Sequence, residues 1–237
     1  MYLAIEKVTK SYGDILAVNE VTTKWESNQI IGLVGPNGAG KTTLLKTVSG
    51  FLEPSNGRIL LNGKRVAMGA VAYVPEFPDL FPALSVWEHC KFIALAYSIK
   101  GWELHAQDYL ESLQLMDKRD SLVGELSKGM KQKVMVAITL LRKPPVLLMD
   151  EPFSGLDPLS SRELQKLIVD IKDRERIIVV SSHNLNTIQA ICNRVLIMNQ
   201  GSVLKEQEMT DILAEARAKG ISTLEDYFLE VTGYGGS

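Results

Sequence analysis

The chain carries at residues 35–43 the stretch Gly35-Pro36-Asn37-Gly38-Ala39-Gly40-Lys41-Thr42-Thr43, which fits the pattern G-x-x-x-x-G-K-[ST]. Glycines let backbone N–H groups curl around an anion, because no Cβ atom stands in the way. An apolar run, Gln29–Val34, precedes the loop, and a helical pattern over Lys41–Val48 follows it. Strand, loop and helix together predict a site for nucleotide phosphates, with Lys41 on the β- and γ-phosphates and Thr42 on Mg²⁺.

A second apolar run, Val146–Met149, leads directly into Asp150 and Glu151. Such a run is typical of a central parallel strand, and α/β sheets bind ligands at the carboxyl ends of their strands. Asp150 suits a Mg²⁺ shell, and Glu151 suits a base that positions the attacking water. Alone, the two acids would also fit a solvated corner of the chain. Beside a phosphate loop, they predict binding and hydrolysis of ATP.

The elements around these two motifs alternate as in a parallel α/β sheet. Further strands are predicted at Leu3–Val8, Arg58–Leu61, Ala70–Val74, Ile177–Ser181 and Val195–Met198. Helices are predicted over Leu185–Cys192 and from Asp157, a plausible N-cap followed by Pro158, to about Ile171. The last 30 or so residues, rich in acids, have the pattern of two short helices.

Residues from about 79 to 143 interrupt this alternation with helical patterns only. A helix is predicted from Ser85 to about Ile99, opened by a capping box between Ser85 and Glu88. Helical patterning continues to about Leu115 and returns over Lys128–Leu141. We interpret the segment as a helical lobe inserted into the α/β core.

Bulk properties narrow the class of protein. The net charge of −2 gives no basic field of the kind that binds nucleic acid. The two cysteines, Cys90 and Cys192, lie 102 residues apart, which favours buried, inert thiols over a disulfide or a zinc site. The N-terminus has no apolar signal core, and no segment is long and apolar enough to span a bilayer. Any membrane role would therefore need a separate partner chain.

From Leu3 to about Thr232, the chain resembles the nucleotide-binding subunits of ATP-binding-cassette (ABC) transporters. Four motifs carry the resemblance besides the phosphate loop and the acidic strand end. They are Tyr12, which matches the adenine-stacking aromatic; Leu126-Ser-Lys-Gly-Met-Lys-Gln132, which resembles the LSGGQ signature; Ser154-Gly-Leu-Asp157, which matches the D-loop; and His183, which matches the switch histidine. Alone, Tyr12 would fit ordinary packing, His183 a structural histidine and Ser127 a helix N-cap. Six ordered motifs favour the functional roles.

The resemblance implies a P-loop NTPase (RecA-like) α/β core with an N-terminal antiparallel β subdomain and an inserted α-helical subdomain. Residues 1–232 would form one ABC domain. Its parts would be the core and β subdomain over about 1–78 and 144–205, the helical subdomain over about 79–143, short C-terminal helices over about 206–232, and a tail over 233–237.

The resemblance also implies a dimer that sandwiches two ATP molecules head to tail. Ser127 and Gly129 would contact the γ-phosphate on the opposite subunit, and a helix N-terminus there would attract an anion. Asp157 would communicate across the dimer, and His183 would contact the γ-phosphate. The cofactors would be ATP and Mg²⁺. The partners would be a second ATP-binding subunit and a transmembrane permease at the cytoplasmic face of the membrane, with no nucleic acid.

Two positions depart from the family pattern. Tyr73-Val-Pro-Glu76 has Glu where the family has Gln, so Glu76 is either a stronger Mg²⁺ ligand or a loop carboxylate at the permease groove. Lys128 replaces the first signature glycine, in a segment with seven bases against two acids over residues 118–143. These bases either form a solvated helical face, or they place positive charge near the partner's ATP or against an acidic surface. Both departures, with the tail Leu224–Val231, resemble export-type members of the family.

Two alternatives stay open beside an exporter ATPase. One is an ABC ATPase that acts on nucleic acid or ribosomes, although the chain has one cassette and no long coiled-coil insertion. The other is a regulator that binds nucleotide without hydrolysing it, against which Glu151 and His183 argue.

Overall fold

The computed structural model describes residues 1–173 and 175–233, which form two compact units. The first unit contains Met1–Tyr73, Pro145–Glu151 and the described residues from Lys172 onward. The second contains Val74–Pro144 and Pro152–Ile171. Residues 152–171, which the sequence places in the core, therefore belong to the second unit. Of the predicted tail 233–237, all but Gly233 lies outside the described residues.

A six-stranded sheet forms the centre of the first unit. Its order is β10-β9-β3-β8-β7-β6, and β3 is parallel to both β8 and β9. The register places Asp150, the last residue of β7, beside Ser181, the last residue of β8. The strands are β3 (Gln29–Val34), β6 (Val71–Val74), β7 (Val146–Asp150), β8 (Ile177–Ser181), β9 (Arg194–Asn199) and β10 (Ser202–Glu208).

A second, four-stranded sheet of order β2-β1-β4-β5 packs on the same core, and its pairings are antiparallel. Inward residues of both sheets and of α1, among them Trp25, Leu33, Leu44 and Leu148, form one buried hydrophobic cluster. The strands are β1 (Tyr2–Tyr12), β2 (Ile15–Glu26), β4 (Asn56–Leu61) and β5 (Lys64–Arg65). The helices of this unit are α1 (Lys41–Val48), α6 (Leu185–Ile191), α7 (Met209–Ala218) and α8 (Leu224–Thr232).

The second unit is helical. Its helices are α2 (Val86–Ala96), α3 (Trp102–Ser112), α4 (Lys128–Leu141) and α5 (Pro158–Asp170). The predicted capping box opens α2, since the Ser85 side chain accepts from the Glu88 N–H and the Glu88 side chain accepts from the Ser85 N–H. The predicted N-caps Ser127 and Asp157 open α4 and α5. Both cysteines are buried and free, as predicted.

Several predicted boundaries were wrong. α2 ends at Ala96 rather than near Ile99, and Ser98 and Gly101 both take left-handed backbone angles that stop the helix before α3 begins. β1 runs on past Val8 to Tyr12, with bulges in its pairing to β2. The sequence did not predict β2 or β10 as strands. One face of β2 is solvent-exposed and polar, and β10 is an edge strand with half-buried residues, so neither reads as an apolar run.

Candidate active site

The phosphate loop joins the end of β3 to the start of α1. Gly40 is the residue before the helix, at a φ of 100°, and no side-chain cap bonds the first N–H groups of α1. No acidic residue lies in the first turn of α1. A Cβ atom at Gly35 would overlap the Met198 carbonyl oxygen, and one at Gly40 would overlap the Ala17 carbonyl oxygen. The loop therefore requires these glycines, and it presents uncapped N–H groups that suit an anion.

Lys41 lies inside this loop. Its ammonium group donates to the carbonyl oxygens of Gly35 at 2.7 Å and Pro36 at 3.2 Å. Burial lowers the pKa of Lys41, and the charges of Glu151 and Asp150 oppose that shift. The structure thus brings the loop lysine close enough to both acids for their charges to act on it.

Asp150 is 3% exposed and held through both of its carboxylate oxygens. The Ser181 hydroxyl donates to Oδ1 at 2.6 Å, and the Tyr73 hydroxyl donates to Oδ2 at 3.0 Å. The sequence did not predict either partner. The position of Ser181 follows from the register of β7 and β8, and that of Tyr73 from the neighbouring strand β6. The two bonds fix the direction of the carboxylate.

Glu151 follows at a φ of 46°, a left-handed conformation that is rare for a residue with a side chain and that clusters at functional sites. Its backbone N–H donates to the Ser181 hydroxyl at 2.9 Å. Its Oε2 lies 2.9 Å from Nδ1 of His183 and accepts from the His183 backbone N–H at 3.3 Å. One serine thus joins the two acids, and the second acid is joined to the histidine. His183 itself is 69% exposed at its side chain.

The donors present suit Mg²⁺ bound together with phosphate. No cluster of three His, Cys, Asp or Glu side chains that could hold a metal occurs among residues 1–173 and 175–233. Hard oxygen ligands are nevertheless available in the first unit, from the exposed Thr42 and from Asp150. Mg²⁺ keeps several waters and takes only one or two carboxylates plus substrate phosphates, so this sparse set fits it.

Tyr12 lies at the end of β1, 46% exposed, opposite Ile15 in the β1–β2 hairpin. The Lys10 ammonium lies 5.4 Å from the centroid of its ring. The Tyr12 ring is therefore partly exposed, with a lysine ammonium beside it.

The signature and D-loop residues belong to the second unit. The Ser127 hydroxyl accepts from the Met130 N–H at 3.2 Å, so Ser127 caps α4. Gly129 lies against Leu156, and a Cβ atom there would approach the Leu156 side chain to 3.0 Å. The Asp157 carboxylate accepts from the N–H groups of Leu159 and Ser160. Hydrogen bonds from the Ser160 N–H and hydroxyl hold the pKa of Asp157 below its ordinary value.

Glu76, the other predicted nucleotide and metal residue, also lies in the second unit. Its Oε1 accepts a hydrogen bond from the Ser154 hydroxyl at 3.2 Å. The sequence did not predict this contact with the D-loop, because nothing in the spacing of residues 76 and 154 reveals it.

Comparison with known proteins decides the family. A family model described as ABC transporter matches residues 18–154, more than half of the chain. The chain belongs to the ABC transporter family, as an ATP-binding subunit. It is 32% identical to the ABC-type transporter ATP-binding protein EcsA of Bacillus subtilis over 97% of this chain and 96% of that one. It is 29% identical to the lipopolysaccharide export system ATP-binding protein LptB of Escherichia coli over 96% and 99% of the two chains.

A solved ATP binding subunit of an ABC transporter superposes with a TM-score of 0.88, at 32% identity over 98% of this chain and 99% of that one. The predicted resemblance and the predicted α/β fold class are therefore confirmed. As an ABC ATP-binding subunit, the chain is an ATPase that binds ATP.

Proposed function

We propose that this ABC subunit powers the export of a substrate through a separate transmembrane permease, at the cytoplasmic face of the membrane. The observation that carries the ATP-hydrolysing part of the proposal is the hydrogen-bonded series Asp150–Ser181–Glu151–His183 at the end of β7, with the charges of both acids acting on the loop lysine Lys41. Phosphoryl transfer needs positioning and charge more than covalent chemistry, and this series supplies both.

Glu151 is the proposed base. In the hydrolysis step, a water oxygen bonds to the γ-phosphorus, the bond from that phosphorus to the bridging oxygen of ADP breaks, and a water proton moves to the Glu151 carboxylate. Nδ1 of His183 lies 2.9 Å from Oε2 of Glu151, which orients the imidazole ring beside the proposed base. Its other ring nitrogen, Nε2, is left for the proposed contact with a γ-phosphate oxygen.

Lys41 and the uncapped N–H groups of α1 are the proposed binders of the β- and γ-phosphates, with the loop residues 35–43 around them. Thr42 and Asp150 would hold Mg²⁺, which would supply positive charge to offset the charge of the phosphates. Tyr12, which is 46% exposed, would stack on adenine. The sequence alone predicts Glu76 as a metal ligand, whereas its contact with Ser154 supports a positioning role instead.

A second subunit would complete each site. Subunits of this family dimerise and work with transmembrane permeases. In a head-to-tail dimer, Ser127, Gly129 and Asp157 of one subunit would face the ATP on the other. The Ser127 cap at the start of α4 supports this, because a helix N-terminus and its hydroxyl suit a phosphate.

Export through a permease draws on two further observations. Among the described residues, no helix is both long and apolar enough to cross a bilayer, so the transport path would belong to another chain. The second unit exposes Phe77, Phe81 and Phe92, of which the last two make an edge-on ring contact at 5.4 Å. Exposed aromatic clusters mark interaction sites, and a cytoplasmic segment of the permease is the proposed occupant. The export direction rests on relatives such as LptB, which is named for lipopolysaccharide export.

Replacement of Glu151 with Gln tests the hydrolytic part. The variant keeps the shape of the side chain and removes the base, so ATP affinity should stay within about twofold while kcat falls about 10²- to 10⁴-fold. Equilibrium binding and steady-state phosphate release measure the two effects. The exposed Glu175, replaced by Gln, serves as a matched control. Turnover near that of the wild type in Glu151→Gln would remove Glu151 from the chemistry.

Purification of the tagged chain from membranes tests the transport part. We expect a membrane protein with transmembrane helices to co-purify, and Phe81→Ala to reduce its recovery without changing basal ATPase activity. Recovery of no permease, together with stimulation of the ATPase by nucleic acid or ribosomes, would favour the soluble alternative.

A further inference from the structure

The two residues that depart from the family pattern, Glu76 and Lys128, both contact the D-loop turn at residues 153–156. We propose that Glu76, Phe77, Lys128, Ser154 and Gly155 form a clamp, here called the turn clamp, that holds this turn for dimer assembly. Glu76 and Lys128 are then positioning residues of this subunit rather than ligands of metal or nucleotide. The functional consequence rests on the proposed dimerisation, whereas the clamp itself can be tested without it.

One half of the turn clamp is a hydrogen bond. The Ser154 hydroxyl donates to Oε1 of Glu76 at 3.2 Å, and both side chains are half-buried. A bond to a charged acceptor is stronger than a bond to a neutral one, so the carboxylate suits this position. The bond joins the segment that follows β6 to the turn that follows β7.

The other half is formed by the Lys128 side chain. Its stem lies against Gly155, where a Cβ atom would approach Cδ of Lys128 to 3.1 Å. Gly155 has a φ of +75°, so glycine suits both the backbone and the contact. The Lys128 ammonium lies 4.5 Å from the centroid of the Phe77 ring, within the range of a cation–π contact. Lys128 therefore covers the same turn and ends on the residue next to Glu76.

Helix α4 packs against the same two segments. Gly129 contacts Leu156, and the buried Gln132 donates to the Pro75 carbonyl oxygen at 3.1 Å. Ser127 precedes Lys128, and Asp157 follows the turn. The turn clamp thus holds together the two segments that carry Ser127 and Asp157, the residues expected to face the partner's ATP, within one compact unit.

This placement predicts that loss of the turn clamp weakens dimer assembly but not ATP binding by the single subunit. The proposed contacts of ATP with its own subunit come from the first unit, so loss of the clamp should leave ATP affinity of the single subunit unchanged. A loose turn must be ordered when the dimer forms, which makes assembly less favourable. The experiment therefore uses Glu76→Ala, Ser154→Ala, the double variant, Glu76→Gln, Lys128→Gly and Lys128→Met in the full chain.

We expect Glu76→Ala and Ser154→Ala each to raise the subunit concentration for half-maximal ATPase activity about three- to tenfold, and the double variant to do no more. Glu76→Gln should raise that concentration much less than Glu76→Ala does, because its amide oxygen can accept a hydrogen bond from the Ser154 hydroxyl. Lys128→Gly should shift that concentration more than Lys128→Met, which keeps the stem on Gly155. Binding of ATP by dilute subunit and the Mg²⁺ concentration for half-maximal activity should not change. Ser112→Ala, an exposed hydroxyl in α3, is the matched control.

Hydrogen exchange of the peptide that covers residues 153–157 tests the clamp independently of any dimer, and faster exchange is expected in Glu76→Ala and Ser154→Ala. Unchanged exchange in both variants would overturn the clamp. A shift in Mg²⁺ dependence for Glu76→Ala that Ser154→Ala does not share would assign Glu76 to the metal instead. A wild-type activity that is independent of subunit concentration, with faster exchange in the variants, would contradict the dimerisation and leave the clamp standing.

Discussion

At the scale of single residues, the Ser181 hydroxyl is the group on which both acids of the site depend. It donates to Asp150 and accepts from the strained backbone N–H of Glu151. Ser181→Ala leaves that partly buried N–H and one oxygen of the buried Asp150 carboxylate without this partner, which should lower the free energy of unfolding by about 1–3 kcal/mol. We expect kcat to fall about tenfold or more while KM for ATP changes little, because Lys41 and the loop are untouched.

Steady-state kinetics and urea unfolding measure these effects. Ser182→Ala is the matched control, because Ser182 is equally buried and its hydroxyl accepts only from the backbone of Asn184 among the bonds described. A loss of kcat in Ser182→Ala as large as in Ser181→Ala would reduce the role of Ser181 to general stability.

Residues with a fixed spacing were the ones that the sequence could identify. The loop 35–43 follows from glycines and lysine at set positions, and the acids from their place after an apolar run. Ser181 and Tyr73 carry no such signal, because each reaches Asp150 only through the order of β6, β7 and β8 in the sheet. The partner of Glu76 was hidden for the same reason, since two loops 78 residues apart in sequence meet only in the folded unit.

At the scale of helices, one ion pair joins α4 to α5. The Lys133 ammonium lies 3.0 Å from Oε2 of Glu163, and the two side chains are 6% and 10% exposed. Lys133→Met leaves a nearly buried carboxylate unpaired, which should lower the free energy of unfolding by about 3–5 kcal/mol. The double variant Lys133→Met/Glu163→Leu should recover much of the loss, because an apolar pair needs no compensating charge.

Urea unfolding of the two single variants and the double variant measures the coupling. The matched control is the exposed pair Lys24–Glu26, at 2.7 Å, whose removal should cost under about 1 kcal/mol. A double variant as unstable as the sum of the two single variants would show that the pair contributes nothing beyond its separate side chains.

The sequence predicted helices and strands correctly where the hydrophobic periodicity and the capping residues indicated the same element. The capping box at Ser85 and the Asp157-Pro158 start gave the correct beginnings of α2 and α5. The ends of helices were harder to predict, since α2 stops at Ala96, two residues before the left-handed Ser98. β2 was missed because Val21, Thr23 and Trp25 point inward between exposed polar residues, which makes a weak apolar signal.

At the scale of the whole molecule, chain order did not reveal how residues divide between the two compact units. Residues 152–171 follow the core strand β7, yet they belong with the helical unit. The turn clamp and the Lys133–Glu163 pair give a physical reason, because both attach this segment to α4 or to the loop after β6. Contacts that are distant in sequence thus override the alternation of strands and helices.

The chain carries one phosphate loop and one signature segment, and the first lies in one compact unit while the second lies in the other. If Ser127 completes the site of a second subunit, ATPase activity per subunit must depend on concentration. We expect specific activity to rise with subunit concentration and to level off once dimers dominate, by mass action. Ser127→Arg, which puts a bulky charge at the start of α4, should lower the plateau while ATP binding to dilute subunit stays unchanged. Activity per subunit that is constant over a thousandfold dilution, in a chain that sedimentation shows to be monomeric with ATP, would contradict a shared site.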